Sequence, residues 1–456
     1  MEVFVIPIEG KYSLYRPLRR LAFVGNRAMA DLALDLVRGD ASAGATGAAS
    51  QPDSVSEEAR TFLEAIGFLE PDPPPPPLPS PSYQPTTAVL LLTSRCNLRC
   101  TYCYASGGEG PVEDLSVEVA QVVIDEVCRN AQELGMQRFD LSFHGGGEPI
   151  QAWDLLQQAT AYARGKDLPC HVSMVSNGIC TARQREWLLH NLDSFSISFD
   201  GRQETQDSQR PFASGQGSFK AVMRTLEALD KAKFSYGIRM TARAPWRGRL
   251  VEDVRFICEE TGCPAMQVEP AFNKRRGEHQ GPNREESDEF VEAFMEAFEI
   301  AGQAGRHLTY SGARPWLLTH TFCTAPRGAL IVNPAGKLVT CYEITDENHP
   351  LAEISTVGCI HDGRAIVDEQ ARDALLSCLE DRRAACRGCF SYWHCAGDCY
   401  SRGITAAAGN PHGSSPRCHM NREITARLLL WYIMRSDGVW RGRQVGPQEA
   451  QLMRTF

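Results

Sequence analysis

The chain has 456 residues and a net charge of −9, with 43% hydrophobic and 23% charged residues. This composition is typical of a globular protein of about two or three domains, and the negative charge argues against a general nucleic-acid binder. No apolar run approaches the roughly 18 residues of a membrane helix, so we expect no membrane span. Many cysteines without a basic N-terminal leader predict a reducing, cytoplasmic location.

The first 70 residues predict a small α+β domain. Short β-type runs precede two helical patterns, the first of which begins at Asn26, a good N-cap residue. Residues 71–86 are rich in proline and indicate a semi-rigid polyproline II linker. We therefore predict one domain over 1–70 and a linker over 71–86. The β-type runs cover 3–6, 12–15 and 22–24, and the second helix runs from about Ser56 to Ile66.

Strand-like and helix-like segments alternate over residues 87–305, which we predict to form a second domain. Such alternation is typical of βα units with right-handed crossovers. It predicts an α/β fold with a partial (β/α)6 barrel, whose ligand sites lie at the carboxyl ends of the strands. The predicted strands are 88–92, 139–143, 171–175, 194–199, 236–240 and 266–268, with helices near 117–134 and 153–163.

Three cysteines follow the first of these strands in the spacing C-x-x-x-C-x-x-C: Cys96, Cys100 and Cys103. Iron–sulfur clusters normally take four cysteine ligands, so a local set of three leaves one iron open. An open position in a metal site is the mark of catalysis rather than of structure. Zinc is the alternative, but a zinc site needs a second local pair of ligands, and none lies near Cys103.

Glycine-rich and polar turns follow the next three predicted strands. Gly146, Gly147 and Glu148 come after the second strand, where glycines let the backbone approach a ligand closely. Small polar residues end the third and fourth strands, and an acidic-to-arginine segment follows. Taken alone, each of these is equally explained by a turn, a helix cap or a solvated salt bridge. The polar residues are Ser176, Asn177, Ser198, Asp200 and Arg210.

With the cysteine loop, these motifs make residues 87–300 resemble a radical S-adenosylmethionine (SAM) enzyme. The resemblance implies that Cys96, Cys100 and Cys103 bind a [4Fe–4S] cluster whose open iron chelates SAM, the source of a 5′-deoxyadenosyl radical. It also implies a set of SAM contacts. These are the backbone of Tyr102 at the adenine, Gly146, Gly147 and Glu148 at the amino group, Ser176, Asn177, Ser198 and Asp200 at the ribose and carboxylate, and Arg210 at the carboxylate.

The predicted third domain over residues 306–456 contains nine cysteines, of which seven stand out by their spacing. Their spacing resembles the SPASM domain of radical SAM enzymes, which binds two auxiliary [4Fe–4S] clusters. Cluster I has no fourth cysteine upstream, because none lies between Cys263 and Cys323, so we expect an open iron or an unusual ligand such as Cys359 or Cys378. The resemblance assigns Cys323, Cys341 and Cys399 to auxiliary cluster I, and Cys386, Cys389, Cys395 and Cys418 to auxiliary cluster II.

Taken together, the three predicted domains resemble maturases of ribosomally synthesised peptides, in which a winged-helix-like domain recognises a leader. This resemblance implies hydrogen abstraction and a C–C, C–S or C–O cross-link in a precursor peptide. It also implies SAM, three [4Fe–4S] clusters and a reductant such as flavodoxin or ferredoxin. Other interpretations stay open: a plain α+β cap for residues 1–70, and epimerisation, small-molecule dehydrogenation or non-catalytic electron transfer for the whole chain.

Tyr342 and Glu343 directly follow Cys341 and are candidates for a proton acceptor or tuning group near auxiliary cluster I. In formylglycine-forming sulfatase maturases, which have the same arrangement of clusters, an aspartate follows the corresponding cysteine. The pair Tyr342-Glu343 at this place counts against that alternative function.

Overall fold

The structure is a computed structural model that describes residues 1–8, 10–38, 54–80, 82–271, 283–402 and 417–442. Its strands are β1 (Phe4–Ile8), β2 (Lys11–Arg16), β3 (Leu21–Gly25), β4 (Thr87–Leu90), β5 (Phe139–Phe143), β6 (Cys170–Ser176), β7 (Ser194–Ser198), β8 (Tyr236–Ala242), β9 (Ala265–Pro270), β10 (His307–Thr309), β11 (Ala329–Val332), β12 (Lys337–Val339), β13 (Thr356–His361), β14 (Arg364–Val367) and β15 (Val439–Arg441).

The helices are α1 (Arg27–Arg38), α2 (Ser54–Ala65), α3 (Val117–Glu133), α4 (Trp153–Arg164), α5 (Ala182–Asn191), α6 (Gln203–Gln209), α7 (Phe219–Lys231), α8 (Arg249–Glu260), α9 (Arg284–Gln303), α10 (Ala325–Gly328), α11 (Ala352–Ser355), α12 (Glu369–Ala385), α13 (Tyr392–Cys395) and α14 (Cys418–Met434). A 3-10 turn, Pro149–Ala152, leads into α4. In the described part of the chain, no helix is both long and apolar enough to cross a bilayer.

The N-terminal sheet has the three strands that the pattern predicts, and a fourth strand that it does not. β1, β2 and β3 pair antiparallel, and β15 from the other end of the chain pairs with β3. One face of this sheet packs on α1 and α2 through a core that includes Phe23 and Leu63. The other face places Tyr15 against Leu429 and Ile433 of α14. The predicted domain over 1–70 therefore shares its sheet and one core with the C-terminal region.

The central sheet positions the candidate site. Strands β4 to β10 are parallel neighbours in the order β10-β9-β8-β7-β6-β5-β4, an open arrangement that suits a partial barrel. β4 is apolar along its length because helices and sheet neighbours cover both of its faces, and Ala88, Val89 and Leu90 are at most 1% exposed. The carboxyl ends of β4, β5, β6 and β7 lead into the turns that the sequence analysis singled out.

The predicted boundary between residues 305 and 306 runs through this same sheet. β10 lies just beyond it and pairs in parallel with β9. On the other side of β4, β11 pairs in parallel, and the antiparallel strands β12, β13 and β14 extend the sheet. Spacing along a chain reports strands but not their partners, because pairing is a long-range contact.

The proline-rich segment is attached to both neighbouring regions rather than acting as a free spacer. Asp72 pairs with the buried guanidinium of Arg16 at 2.6 Å. The carbonyl of Pro76 accepts a hydrogen bond from His320 Nε2 at 2.6 Å, and the Tyr83 hydroxyl donates to the carbonyl of Ala329 at 2.8 Å. Residues 71–80 and 82–86, the described part of the predicted linker, contain no helix or strand, and the segment contacts both neighbouring regions.

Candidate active site

The cysteine loop, residues 96–103, leaves the carboxyl end of β4 and lies against the segment that follows α6. The amide of Thr101 donates to the carbonyl of Gln209 at 2.9 Å, and the amide of Arg99 donates to that of Pro211 at 2.8 Å. The Arg99 guanidinium donates in turn to the Cys96 carbonyl at 2.9 Å. These bonds hold an otherwise irregular loop in one conformation.

The three sulfurs of the loop lie close to one another. Cys96, Cys100 and Cys103 are half-buried free thiols. Burial raises the pKa of Cys96 to about 12, and the neighbouring Glu148, Cys100 and Cys103 charges add to the rise. A bound metal reverses such a shift, because a coordinating thiol is deprotonated. The Gly107 amide also donates to Cys103 Sγ at 3.4 Å, so this loop fits a three-cysteine cluster site.

The glycine turn after β5 lies directly against the start of this loop. The amide of Gly147 donates to the carbonyl of Thr93 at 2.7 Å. A Cβ on Gly147 would lie 2.0 Å from the carbonyl oxygen of Arg95, and a Cβ on Gly107 would lie 2.9 Å from the Gly146 carbonyl oxygen. Only glycine allows this approach of backbone to backbone. The structure thus brings together the predicted cysteines and the predicted glycines.

The Glu148 carboxylate is turned into the protein, where it ties this turn to the end of β6. It accepts hydrogen bonds from Ser176 Oγ at 2.7 Å, the Asn177 amide at 2.7 Å and the Ile150 amide at 3.2 Å. Asn177 Nδ2 continues the network by donating to Asn97 Oδ1 in the cysteine loop at 2.8 Å. Burial raises the pKa of Glu148 to about 7. Glu148, Ser176 and Asn177, three of the predicted SAM contacts, therefore form one buried network. In it, the Glu148 carboxylate holds the backbone amides of Asn177 and Ile150 in place.

Asp200 and Arg210 form a buried ion pair, with side chains 1% and 8% exposed. Arg210 Nε donates to Asp200 Oδ2 at 2.9 Å, and Nη2 donates to Oδ1 at 3.1 Å. The Tyr102 hydroxyl, Gln209 Nε2 and the Thr241 amide donate to the same carboxylate. Burial opposes the charge of Arg210, but Asp200 outweighs it, and the pKa of Arg210 is raised. The pair is neither solvated nor open, which corrects the surface salt bridge considered from the sequence.

Several polar residues on the inner face of the sheet were missed from the sequence. Ser198, a predicted contact, lies in register with Arg239 of β8. Arg239 Nη1 donates to Nε2 of His144 at 3.4 Å. Tyr104 is one of the titratable groups that interact electrostatically with Arg239. Two signals were available, namely an arginine inside the otherwise apolar strand 236–242 and a histidine just before the glycine turn.

The cysteines assigned to auxiliary cluster II border one cavity of about 550 Å³, which β1 and Phe390 also line. The amide of the Asn421 side chain donates to Cys395 Sγ at 3.5 Å. In the described ranges, no three His, Cys, Asp or Glu side chains are close enough to hold one metal ion. An iron–sulfur cluster has a different requirement, because each thiolate ligates a separate iron and the sulfurs therefore lie farther apart. The four cysteines are Cys386, Cys389, Cys395 and Cys418.

The cysteines assigned to auxiliary cluster I are also mutual neighbours. Burial raises the pKa of Cys323 to about 11, and the charge of Cys399 adds to the rise. Cys323 and Cys399 in turn both raise the pKa of Cys341, after burial. Of the suggested fourth ligands, Cys359 lies in β13 opposite Ile366, and the charged neighbours of Cys378 in α12 are Arg382 and Asp381. Tyr104, which directly follows Cys103, interacts electrostatically with Cys341. A Cβ on Gly145 would lie within 3.2 Å of both the Tyr104 hydroxyl and the Tyr342 carbonyl oxygen, so the two cysteine regions approach each other near Tyr104.

The two candidate acid–base residues have other contacts. The Glu343 carboxylate forms an ion pair with Arg402 at 2.7 Å. The Tyr342 ring stacks on His144, and burial raises the pKa of Tyr342, so its hydroxyl is protonated at neutral pH. The geometry therefore favours a packing role for Tyr342 and a charge-pairing role for Glu343.

Comparisons with known proteins agree with this site. The family model described as the radical SAM superfamily matches residues 90–242. The sporulation killing factor maturation protein SkfB of Bacillus subtilis (strain 168) is 30% identical over 184 residues, which cover 40% of this chain and 41% of that protein. The mycofactocin maturase MftC of Mycolicibacterium smegmatis is 26% identical over 262 residues, which cover 55% of this chain and 62% of that protein.

A solved structure, native anSMEcpe with bound AdoMet, has the same fold with a TM-score of 0.63 at 16% identity, and the match covers 77% of this chain and 99% of that one. The alignments span only 41% of SkfB and 62% of MftC, less than two thirds of either protein. The matched region contains the cysteine loop, the glycine turn and the Asp200–Arg210 pair. Residues 90–242 of this chain are a radical SAM domain.

Proposed function

We propose that this chain is a radical SAM peptide maturase that abstracts hydrogen from a ribosomally made precursor and installs a cross-link. The observation that carries the proposal is the approach of the two cysteine regions to each other near Tyr104, which interacts electrostatically with both Cys103 and Cys341. A single radical initiator needs only the first region. Two relatives, a maturation protein and a maturase by name, support a peptide substrate.

In this proposal Cys96, Cys100 and Cys103 hold the [4Fe–4S] cluster, and SAM binds near the glycine turn. When bound, the two supply a carbon radical that removes a hydrogen atom from the substrate. The protein's own part is to hold geometry. Arg99 holds the loop by donating a hydrogen bond to the Cys96 carbonyl. The buried Asp200–Arg210 ion pair holds Tyr102, whose hydroxyl donates to Asp200.

The C-terminal cysteines are assigned as ligands of the two auxiliary clusters, as the sequence implies. The cavity of about 550 Å³ bordered by four of them supports auxiliary cluster II. We assign leader recognition to the N-terminal sheet, which β15 completes. A flavodoxin or ferredoxin is the proposed reductant.

The proposal is tested with the anaerobically reconstituted enzyme, SAM, a reductant and the short peptide encoded beside the gene. Mass spectrometry should show the loss of two hydrogen atoms from the peptide together with 5′-deoxyadenosine. Unchanged mass with deuterium gained from heavy water would replace the cross-link with epimerisation. Conversion of a cysteine or serine in a sulfatase peptide, without reaction of the encoded peptide, would establish the sulfatase maturase function instead.

A further inference from the structure

The inner face of the central sheet carries a row of polar side chains at one level. Along β8, Ile238 and Met240 are 0% and 3% exposed and belong to the apolar core. Arg239 points to the opposite face, because side chains alternate along a strand. It lies in register with Ser198 of β7 and Gln267 of β9. Each of the three residues is partly exposed, although the atoms Arg239 Nε and Gln267 Oε1 are themselves buried.

Arg239 has no carboxylate within ion-pair distance among the residues that the structure describes. The acidic neighbour that acts on its charge, Glu269, is already engaged. Glu269 pairs with Arg417 at 3.1 Å and accepts a hydrogen bond from the Ser311 amide at 3.0 Å. A largely buried cation without a carboxylate at ion-pair distance is destabilising, which favours a ligand that supplies negative charge.

Three atoms around this arginine lack hydrogen-bond partners: Arg239 Nε, His144 Nδ1 and Gln267 Oε1. Their roles are set by their other bonds. His144 accepts from Arg239 through Nε2, so the neutral ring carries its proton on Nδ1 and is a donor there. Gln267 donates through Nε2 to Glu269 Oε1 at 2.9 Å, so its Oε1 is an acceptor. The cluster offers two donors, one of them cationic, beside one acceptor.

We propose that Arg239, His144 and Gln267 form a receptor for a substrate carboxylate that has an N–H group close by. Such a pair of groups occurs at the C-terminal residue of a peptide and at an aspartate or glutamate within one. Guanidinium is suited to carboxylates because it donates in a planar fork, and Gln267 Oε1 accepts the adjacent N–H. This inference rests on the proposed function, and it names the substrate feature that the same site recognises.

The receptor lies near both cysteine regions. Arg239 interacts electrostatically with Tyr342 and Tyr104, which directly follow Cys341 and Cys103, and with Cys323. The predicted SAM carboxylate contact, Arg210, lies on another element, where Asp200 holds it. A carboxylate bound at Arg239 would therefore lie near both cysteine regions.

The test uses the reconstituted enzyme with SAM bound and small probes that do not depend on the precursor. N-Acetylglycine represents a terminal carboxylate, Nα-acetylaspartate amide represents an acidic side chain, and N-acetylglycinamide is the neutral control. A ligand that binds the folded state raises the unfolding temperature as its concentration rises. We expect one or both carboxylates to stabilise the wild type, the neutral amide to have no effect, and Arg239→Gln to weaken carboxylate binding about tenfold or more.

The control variant is Arg255→Gln, which removes a surface arginine, 43% exposed, that pairs with Glu252. It should bind the carboxylates as the wild type does. The probe that binds more tightly identifies the source as a chain terminus or an acidic side chain. Equal stabilisation of the wild type and Arg239→Gln, or of neither, overturns the receptor. Loss of SAM affinity or of iron in Arg239→Gln also overturns it, because the arginine would then serve a cofactor. Failure of the encoded peptide to react, with carboxylate binding intact, would count against the maturase function alone.

Discussion

The imidazole of His144 stacks on the phenol ring of Tyr342, with ring centroids 4.4 Å apart and planes inclined by 24°. His144 follows β5 and leads into the glycine turn, whereas Tyr342 directly follows Cys341. The contact therefore joins the glycine turn at the end of β5 to the second cysteine region. Burial and the neighbouring Arg239 lower the pKa of His144 to about 3, so the ring in this stack is neutral at physiological pH.

This stack gives a direct test of Tyr342 as a proton acceptor. Tyr342→Phe keeps the ring, so product formation should stay within about twofold of the wild type. Tyr342→Ala leaves a cavity and should reduce the free energy of unfolding by about 3 kcal/mol. It should also reduce product formation more than Tyr342→Phe does. Mass spectrometry of the peptide and urea unfolding measure the two effects. Loss of product in Tyr342→Phe with normal folding would restore the acid–base role.

Cys100→Ala should abolish 5′-deoxyadenosine formation while leaving the fold intact. Cys100 is half-buried, and backbone bonds such as that from Thr101 to Gln209 hold the loop independently of its sulfur. Iron content should fall by one cluster, as measured by iron analysis and the visible spectrum. Cys258→Ala, in α8 away from the loop, is the matched control and should retain all of its iron. Continued cleavage of SAM by Cys100→Ala under dithionite would contradict the assignment.

Gly147→Ala should separate the glycine turn from the cysteine loop. The added Cβ would lie 2.0 Å from the Arg95 carbonyl oxygen and 2.7 Å from the Ser94 carbonyl carbon, both of them backbone atoms. We expect loss of the first cluster and a stability cost of about 1–3 kcal/mol. Gly302→Ala is the control, since nothing lies within 4 Å of its added Cβ in α9, and alanine in a helix should stabilise by about 0.5–1 kcal/mol. Normal cluster content in Gly147→Ala would refute the close-approach argument.

His394 predicts a pH dependence of stability. It is 0% exposed, its Nδ1 bonds with the Leu317 carbonyl at 2.8 Å, and Nε2 contacts the Tyr15 hydroxyl. Burial lowers its pKa from 6.5 to about 4. The unfolded state therefore binds this proton first, and stability falls as pH decreases from 6.5 towards 4, by up to about 1.4 kcal/mol for each pH unit.

Urea unfolding between pH 5 and 7 measures this slope. His394→Gln removes the group and should flatten the slope relative to the wild type. His361→Gln is the control, because the side chain of His361 is 73% exposed, and its slope should match that of the wild type. Identical slopes in all three proteins would show that His394 titrates normally in the folded state.

Much of the architecture was predictable because it is local. The strands predicted at 139–143 and 194–199 are found at Phe139–Phe143 and Ser194–Ser198, since both alternate apolar and polar residues, which is a local pattern of strands. The cysteine loop and the glycine turn were predictable for the same reason. Each is a short motif whose chemistry lies in the spacing of neighbouring residues.

Long-range pairing was not predictable from these patterns. Nothing in the local sequence of β15 indicates that Trp440 lies opposite Ala22, or that β11 pairs with β4. The roles of single polar residues were equally hidden. Glu148 and Arg210 were both predicted beside the cofactor. In the structure the Glu148 carboxylate is held by Ser176 and the Arg210 guanidinium by Asp200, partners that only folding brings near.

The sequence by itself indicated the radical SAM domain, because the three cysteines at 96, 100 and 103 and the glycines before Glu148 form short motifs that carry the resemblance. Only the tertiary structure decided how the site is bounded. Tyr104 meets Cys341, and Arg239 meets His144, across contacts between elements distant in the chain. The physical reason is that ligand spacing is a property of a short segment, whereas the charge and hydrogen-bond balance of a cavity is summed over every element that borders it.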